Sequence, residues 1–318
     1  MLQIDIHQHL WPEPLLAGLA RRQEAPRLRR RREGWVVDVP NEPESPLDAA
    51  DHDPDRRAEL ARADGLDRAY LALSSPLGIE TLPPDAAWPL LDAWHAGAAA
   101  LPSPLHAWAA PCLSEPDAGA LAALLDRGFV GACVPAEALA GPAGYERCGP
   151  LLDVLQERCA PLFVHPGSSP RTPAAATAGN GAGEEAAASV LPAWWPALTR
   201  YVAAMNAAWH AFMAFGRRAH PHLRVCFAML AGLAPLHRER LVARGGQAPA
   251  DPDVFVDTSS YGPRAIDAVI RELGVDALVF GSDRPVLPAA EPDFGEAVRV
   301  ALRARNPSRL LALTEDAT

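Results

Sequence analysis

The chain contains no lysine; all 29 of its basic residues are arginine. A Schiff-base mechanism is thereby excluded, because it needs a lysine amine. A carbamylated lysine bridging two metal ions is excluded for the same reason. Any metal centre should be mononuclear, or bridged by another group. Cysteine is sparse: Cys112, Cys133, Cys148, Cys159 and Cys226 are odd in number and lack CxxC spacing. Neither a disulfide framework nor a zinc knuckle is expected, and a reducing cytoplasm fits. No apolar run reaches membrane-spanning length, and the first residues read as a strand rather than a signal peptide. Positive charge is in deficit: the formal net charge is -10. Attraction to nucleic acid or to an anionic membrane is therefore not expected. The local exception is Arg27-Leu28-Arg29-Arg30-Arg31-Arg32. It reads as a solvated face or loop, with a substrate-facing anion patch as the alternative.

What is present is apolar. Hydrophobic residues make up 49% of the 318, and charged residues 21%. That composition suits a soluble globular enzyme, and the length suits one large α/β barrel or two ordinary domains. The most informative run is Ile4-Asp5-Ile6-His7-Gln8-His9. Strand side chains alternate faces, so His7 and His9 share one. Two imidazoles at a strand's C-terminal end can grip one divalent ion. Val279-Phe280-Gly281-Ser282-Asp283 is a second apolar strand, ending in a carboxylate. Leu162-Phe163-Val164-His165-Pro166-Gly167 is a third, ending in histidine. Alone, a strand-end histidine is usually a packing or surface residue, and Gly-Ser-Asp a turn or helix cap. Together they place His7, His9, His165 and Asp283 at one end of parallel strands, where α/β barrels carry their chemistry.

Eight apolar or β-branched runs alternate with helical segments. Strands are expected near Gln3–His7, Arg68–Ser74, Leu105–Pro111, Phe129–Val134, Pro161–His165, Leu223–Met229, Val254–Asp257 and Ala277–Gly281. Helices are expected over Asp55–Ala63, Pro84–Ala100, Pro116–Arg127, Gly149–Arg158, Leu236–Ala243 and Pro263–Leu273, with Phe294–Arg303 and Ser308–Leu313 closing the chain. This is the count of a single-domain (β/α)8 barrel spanning 1–318, distorted by insertions after strands 1 and 5. The first insertion, 10–51, is expected to pass over the barrel mouth. The second, 168–218, opens with a Pro/Ala/Gly-rich stretch, Ser168 to Gly183, that suits a lid. Helices follow it. Trp194, Trp195, Trp209, Phe212 and Phe215 form an aromatic stripe there. Such a stripe is more often core or subunit interface than a substrate box. Trp194 is the member assigned to a substrate pocket. His52, His95, His106, His220 and His222 are taken as surface or helix residues.

Further motifs follow in order: Asp53-Pro54-Asp55-Arg56, Ala63-Asp64-Gly65, Pro221-His222-Leu223-Arg224-Val225, Leu230-Ala231-Gly232-Leu233-Ala234-Pro235, Gly281-Ser282-Asp283-Arg284-Pro285 and Asn306-Pro307-Ser308-Arg309-Leu310-Leu311. With the histidine strands, they resemble the amidohydrolase-related metal-dependent enzymes, in the branch with aminocarboxymuconate-semialdehyde decarboxylase. The resemblance covers nearly the whole chain. It implies a distorted TIM barrel with one metal ion on His7, His9, His165 and Asp283. It also exposes a departure. Met229 stands where the family places a histidine that positions the metal-bound water, and a thioether exchanges no protons. His210, His237, Tyr261 and Asp257 are candidates to take over that proton chemistry. Arg284, where relatives often carry an aromatic residue, suits a bidentate grip on a substrate carboxylate. The alternative is that it folds back to orient Asp283. Tyr261 is a further candidate for the substrate pocket.

The leading expectation is a Zn2+-dependent hydrolase acting on a small anionic carbonyl compound. Metal-activated water would attack, with Asp283 as ligand, general base or both. One alternative is non-oxidative decarboxylation of a small unsaturated or aromatic acid. Another is a degenerate barrel that binds a ligand or partner without catalysis. The expected partner is a small-molecule substrate, with a homodimer as the expected assembly if the chain self-associates.

Overall fold

The structure, a computed structural model, describes residues 1–40, 42–168, 192, 194–287 and 293–313. Eleven strands occur among them: β1 (Ile4–His9), β2 (Arg27–Arg31), β3 (Gly34–Asp38), β4 (Ser45–Leu47), β5 (Arg68–Ala72), β6 (Leu105–Ala107), β7 (Ala132–Pro135), β8 (Leu162–His165), β9 (Val225–Phe227), β10 (Val254–Asp257) and β11 (Leu278–Val279). Eight of them form the wall. They pair in parallel as β1-β5-β6 and as β7-β8-β9-β10-β11. Backbone bonds close both gaps. Cys133 donates to Ala109 at 2.8 Å, and Ile6 donates to Phe280 at 3.0 Å. The wall is the expected TIM barrel, and each of its strands overlaps an expected run. All six residues of β1 are buried, as are all four of β7, β8 and β10. Burial on both faces is what a parallel sheet sheathed by helices requires.

Helices start where the sequence provides caps. Asp53 accepts from the backbone N–H groups of Asp55 and Arg56, and opens the helix Pro54–Ala63. Asp117 does the same for Ala118–Asp126 through Ala120. Satisfying these orphan donors is what the side-chain cap does. One helix, Pro142–Glu157, starts earlier than Gly149 because it runs through Pro150.

The insertion after β1 has more structure than its Pro/Arg-rich composition suggested. It holds a helix, Glu13–Arg21, and the antiparallel sheet β2-β3-β4. The arginine cluster is β2 itself. Arg27 pairs with Asp38 at 2.6 Å and Arg29 with Glu44 at 3.2 Å, and Arg31 also pairs with Glu44. Three of the cluster's five arginines are thus paired with acidic residues of the same insertion. The insertion reaches the helix Trp195–Ala211 through the Tyr201 hydroxyl, which donates to Glu42 at 2.7 Å. The lid stretch lies outside the described residues, except for Ser168. Within the aromatic stripe, Trp209 and Phe212 pack on Phe227, at 5.2 and 5.9 Å between ring centroids. Trp194, Trp195 and Phe215 are exposed.

Three histidines expected on the surface or on helices are buried. His52 stacks on Trp11 at 4.8 Å and accepts its backbone N–H. His95 accepts from Ala110 N–H at 3.1 Å, and His220 lies 3.2 Å from Asp153. His52 and His95 thus accept backbone N–H groups that water would otherwise satisfy.

A buried carboxyl behind the barrel mouth gives a stability test. Glu80 is 1% exposed, and its Oε1 accepts from the Ser75 hydroxyl at 2.7 Å. Oε2 has no partner among the described residues. Burial pushes this carboxyl up from 4.5 to about 7. The unfolded chain releases that proton near 4.5, while the folded chain holds it to about 7. Stability contributed by this group is therefore complete below 4.5 and lost as pH rises to about 7. The loss amounts to roughly 3 kcal/mol. Glu80→Gln should flatten that slope and raise the melting temperature above neutral pH by roughly 5 °C. Parallel pH–stability curves for the two proteins would show that Glu80 is not the source.

Candidate metal centre

Four strand ends converge. His7 and His9 come from β1, His165 closes β8, and Asp283 follows β11. All four are buried, and one ligand atom from each lies within 4.8 Å of the others. His7 Nε2 is 3.0 Å from His9 Nε2. Asp283 Oδ1 is 3.2 Å from His9 Nε2 and 3.5 Å from His7 Nε2. Donors of a tetrahedral zinc-like site stand about 3.4 Å apart, given bonds of about 2.1 Å.

The second ring nitrogens show why these residues suit a cation. His7 Nδ1 meets Asp257 Oδ2 at 2.6 Å, His9 Nδ1 meets the Ala72 carbonyl at 2.9 Å, and His165 Nδ1 meets the Pro166 carbonyl at 2.8 Å. Each partner is an acceptor, so each Nδ1 carries the proton and each Nε2 presents a lone pair. Three lone pairs and a carboxylate oxygen aimed at one point repel unless a cation lies between them. The residues present therefore fit a single divalent ion.

Electrostatics agree at His165 and Asp283. Burial and the neighbouring His7 and His9 hold His165 well below the usual imidazole range, so it stays neutral. Burial opposes ionisation of Asp283, yet His7, His9 and His165 keep its carboxyl well below the usual carboxylate range. Burial likewise opposes a charge on His7, but Asp257, Asp283 and Asp5 outweigh it and raise its affinity for a proton.

Asp257, at the end of β10, organises this wall. Its Oδ1 accepts from the Met229 and Ser259 N–H groups at 2.9 and 3.0 Å, and from the Ser259 hydroxyl at 2.6 Å. It orients a ligand and is itself fully buried. Gly281 is required beside it, since a Cβ there would lie 2.8 Å from Asp257 Oδ2 and 2.9 Å from His7 Cβ. Asp5 supports β1 from below, accepting from His7 N–H at 3.1 Å and from the Gln8 amide at 2.8 Å. Arg57 then donates to the Gln8 side chain at 2.5 Å and to the His9 carbonyl at 2.7 Å.

Met229 is 7% exposed and adopts φ 55. It opens a left-handed turn running through Leu230, Ala231, Gly232 and Leu233. Left-handed non-glycine residues cost roughly 1–2 kcal/mol each and persist only where surroundings over-determine them. Here Asp257 and Ser259 hold the Met229 N–H, and the Asn206 amide donates to the Gly232 carbonyl at 2.8 Å. Asp283 and Ser260 are also left-handed, and the Ser260 hydroxyl donates to Asp283 Oδ2 at 3.1 Å.

The other expected site residues lie elsewhere. The Arg284 guanidinium pairs with Asp64 at 2.7 Å. It is occupied by a protein carboxylate and joins neither ligand nor cluster. Tyr261 is partly exposed and Trp194 is 54% exposed, against Trp195. His210 and His237 face each other across a separate cavity. Two ionisable neighbours of the mouth, one carboxyl and one phenol, were missed. Glu137 accepts from the Gly167 N–H at 2.9 Å, two residues past His165. Burial pushes its carboxyl up to about 7. Tyr201, whose hydroxyl burial and Glu42 hold above the ordinary tyrosine range, also feels Glu137 and Asp283. No local motif announces either; their burial comes from the helix Trp195–Ala211 packing over the turn Ala136–Leu139.

No family model matches the chain, and no curated protein does. Solved structures do. An IDCase from Metarhizium anisopliae in apo form is 18% identical, over 99% of this chain and 98% of that one, with a TM-score of 0.75. A 5-carboxyvanillate decarboxylase from Novosphingobium aromaticivorans, with manganese and a nitrobenzoic acid bound, is 17% identical over 98% of this chain and 97% of that one, with a TM-score of 0.73. A 2,6-dihydroxybenzoate decarboxylase from Rhizobium is 19% identical over 98% and 99%, with a TM-score of 0.63. At these identities the likeness establishes a shared fold, end to end. No helix among the described residues is long and apolar enough to cross a membrane.

Proposed function

We propose, from the premise that this chain is built on the barrel of the amidohydrolase-related enzymes, that it is a metal-dependent decarboxylase of a small aromatic or unsaturated carboxylic acid. One observation carries the choice. The ligand set is complete, while the adjoining position, Met229, offers no proton acceptor. Hydrolysis needs a base to activate water beside the metal, and with Met229 in place Asp283 would have to serve as both ligand and base. Loss of CO2 needs a bound, oriented carboxylate and no such base. Two of the similar structures are decarboxylases of hydroxylated benzoates, which supports the same choice.

A divalent ion on His7, His9, His165 and Asp283 would supply Lewis acidity toward the oxygens of the acid. Zn2+ suits three imidazoles and a carboxylate, and Mn2+, bound in a similar structure, suits the carboxylate-bearing site as well. The chain's own residues do the rest. Asp257 holds His7 in the ligating tautomer. Asp257 also anchors the left-handed turn at Met229 through that residue's backbone N–H. A proton must replace the departing CO2 on carbon. We assign its storage to Glu137, half-buried beside Gly167 and protonated up to about 7.

The test is product analysis. Protein loaded with Mn2+ or Zn2+ is incubated with hydroxylated benzoates and unsaturated acids in water enriched in oxygen-18. Release of CO2 with no label in the organic product is expected. Label in the product without CO2 would return the assignment to hydrolysis, and neither outcome with a fully metallated protein would favour a non-catalytic barrel.

A further inference from the structure

His210 and His237 were candidates for the missing proton chemistry, and the fold gives them another setting. They line a cavity of about 630 Å³ with Asn206, Met213, Arg240 and Arg244, and none of the four metal-site residues is part of it. His210 ends the helix Trp195–Ala211, and the π-turn Phe212–Gly216 follows it. Such widened turns recur at binding sites, and this one contributes Met213 to the wall. His237 closes the segment that begins at Met229, and its ring lies 6.5 Å from that of His210.

The charge balance is one-sided. Arg240 and Arg244 are four residues apart and both line the cavity. Arg240 lies on the short helix Arg238–Val242 and Arg244 in the turn that follows it. Neither has an ion-pair partner among the described residues, whereas Arg238 nearby pairs with Glu272 at 3.5 Å. Among the described residues no carboxylate lines the cavity; Glu239 lines a neighbouring hollow that shares the same two arginines. Two guanidinium groups and two imidazoles thus border a recess with apolar walls at Met213 and Leu241. That is more donor capacity than a single carboxylate uses. It matches the three terminal oxygens and double charge of a phosphate monoester, with the apolar wall for its organic body.

We infer that this cavity, formed by His210, His237, Arg240 and Arg244, is a binding site for a small organic phosphate, separate from the metal centre. The probe is phenyl phosphate, titrated calorimetrically into the metal-loaded protein near neutral pH at physiological salt. Saturable one-to-one binding is expected. It should weaken at least about tenfold in Arg240→Ala/Arg244→Ala, where the charge-assisted hydrogen bonds are lost. It should persist in Asp283→Ala, which lacks the metal site. Both arginines are exposed, so that double variant should fold as the parent does; far-ultraviolet dichroism checks this. A second readout is the imidazole nitrogen resonances of His210 and His237, which should move with the titration in the parent protein. The inference is overturned if no saturable binding occurs at millimolar phenyl phosphate. It is equally overturned if binding vanishes in Asp283→Ala and survives in the arginine variant, which would place the phosphate on the metal. Because the readout is binding, its failure is distinct from failure of the decarboxylase assignment.

Discussion

Asp283→Ala is expected to abolish metal binding and CO2 release together. Asp283 Oδ1 is the anionic member of the set, standing 3.2 Å from His9 Nε2 and 3.5 Å from His7 Nε2. Without it, three neutral imidazoles face a divalent ion in a buried site with nothing to offset its charge. Removing a hydrogen-bonding partner behind a metal ligand typically costs about 10–100-fold in affinity, so removing the ligand itself should cost more than about 100-fold. The protein should remain folded, because without an ion the Asp283 carboxylate adds to the repulsion among the ligand lone pairs. The measurement is bound metal per chain after equilibrium dialysis, with thermal unfolding as the control. Full metal occupancy in the folded variant would sink the four-ligand assignment.

Asp257→Asn is expected to lower metal affinity by about 10–100-fold while leaving all four ligands in place. The carboxylate accepts on both oxygens: Oδ2 takes His7 Nδ1–H, and Oδ1 takes Met229 N–H and the Ser259 hydroxyl. An amide can satisfy only one side with its oxygen, and must turn its NH2 toward donors on the other. Either His7 loses the tautomer that frees Nε2 for the metal, or the left-handed turn at Met229 loses its anchor. Histidine nitrogen resonances tell the two apart, since only the first changes the His7 tautomer. A variant with parental metal affinity and an unchanged His7 signal would remove Asp257 from the site's support.

The ligands were legible because each is the terminal residue of a local pattern. His7, His9, His165 and Asp283 all close apolar runs, and a strand's direction is set by its own alternation. Asp257 carried the same signal, as the end of Val254-Phe255-Val256-Asp257. What the pattern lacked was its partner, which lies 250 residues away in the chain. The sheet β2-β3-β4 was missed for a different reason. Its first strand is mostly arginine, and only Leu28 of β2 and Val37 of β3 are fully buried. Cross-strand ion pairs rather than apolar alternation hold its face. Arg284 was given a substrate role because it adjoins Asp283, but adjacency in sequence says nothing about the direction of a long side chain. Its partner Asp64 closes a helix that follows a different strand.

By itself, the sequence determined which chemistry is available: no lysine amine, three strand-end imidazoles and one carboxylate for a single ion, and a thioether where a base would stand. It also determined the barrel, because eight apolar runs separated by capped helices leave few other ways to bury strands on both faces. Tertiary structure alone decided how those groups behave. It fixed which nitrogen of each histidine carries the proton, through acceptors drawn from Asp257, Ala72 and Pro166. It raised the Glu80 and Glu137 carboxyls to about 7 by taking them out of water. It separated His210 and His237 from the metal and set them beside two arginines. The physical reason is common to all three: a residue's type sets what it can donate, accept or bind, but burial and partners from distant segments set which of those it does.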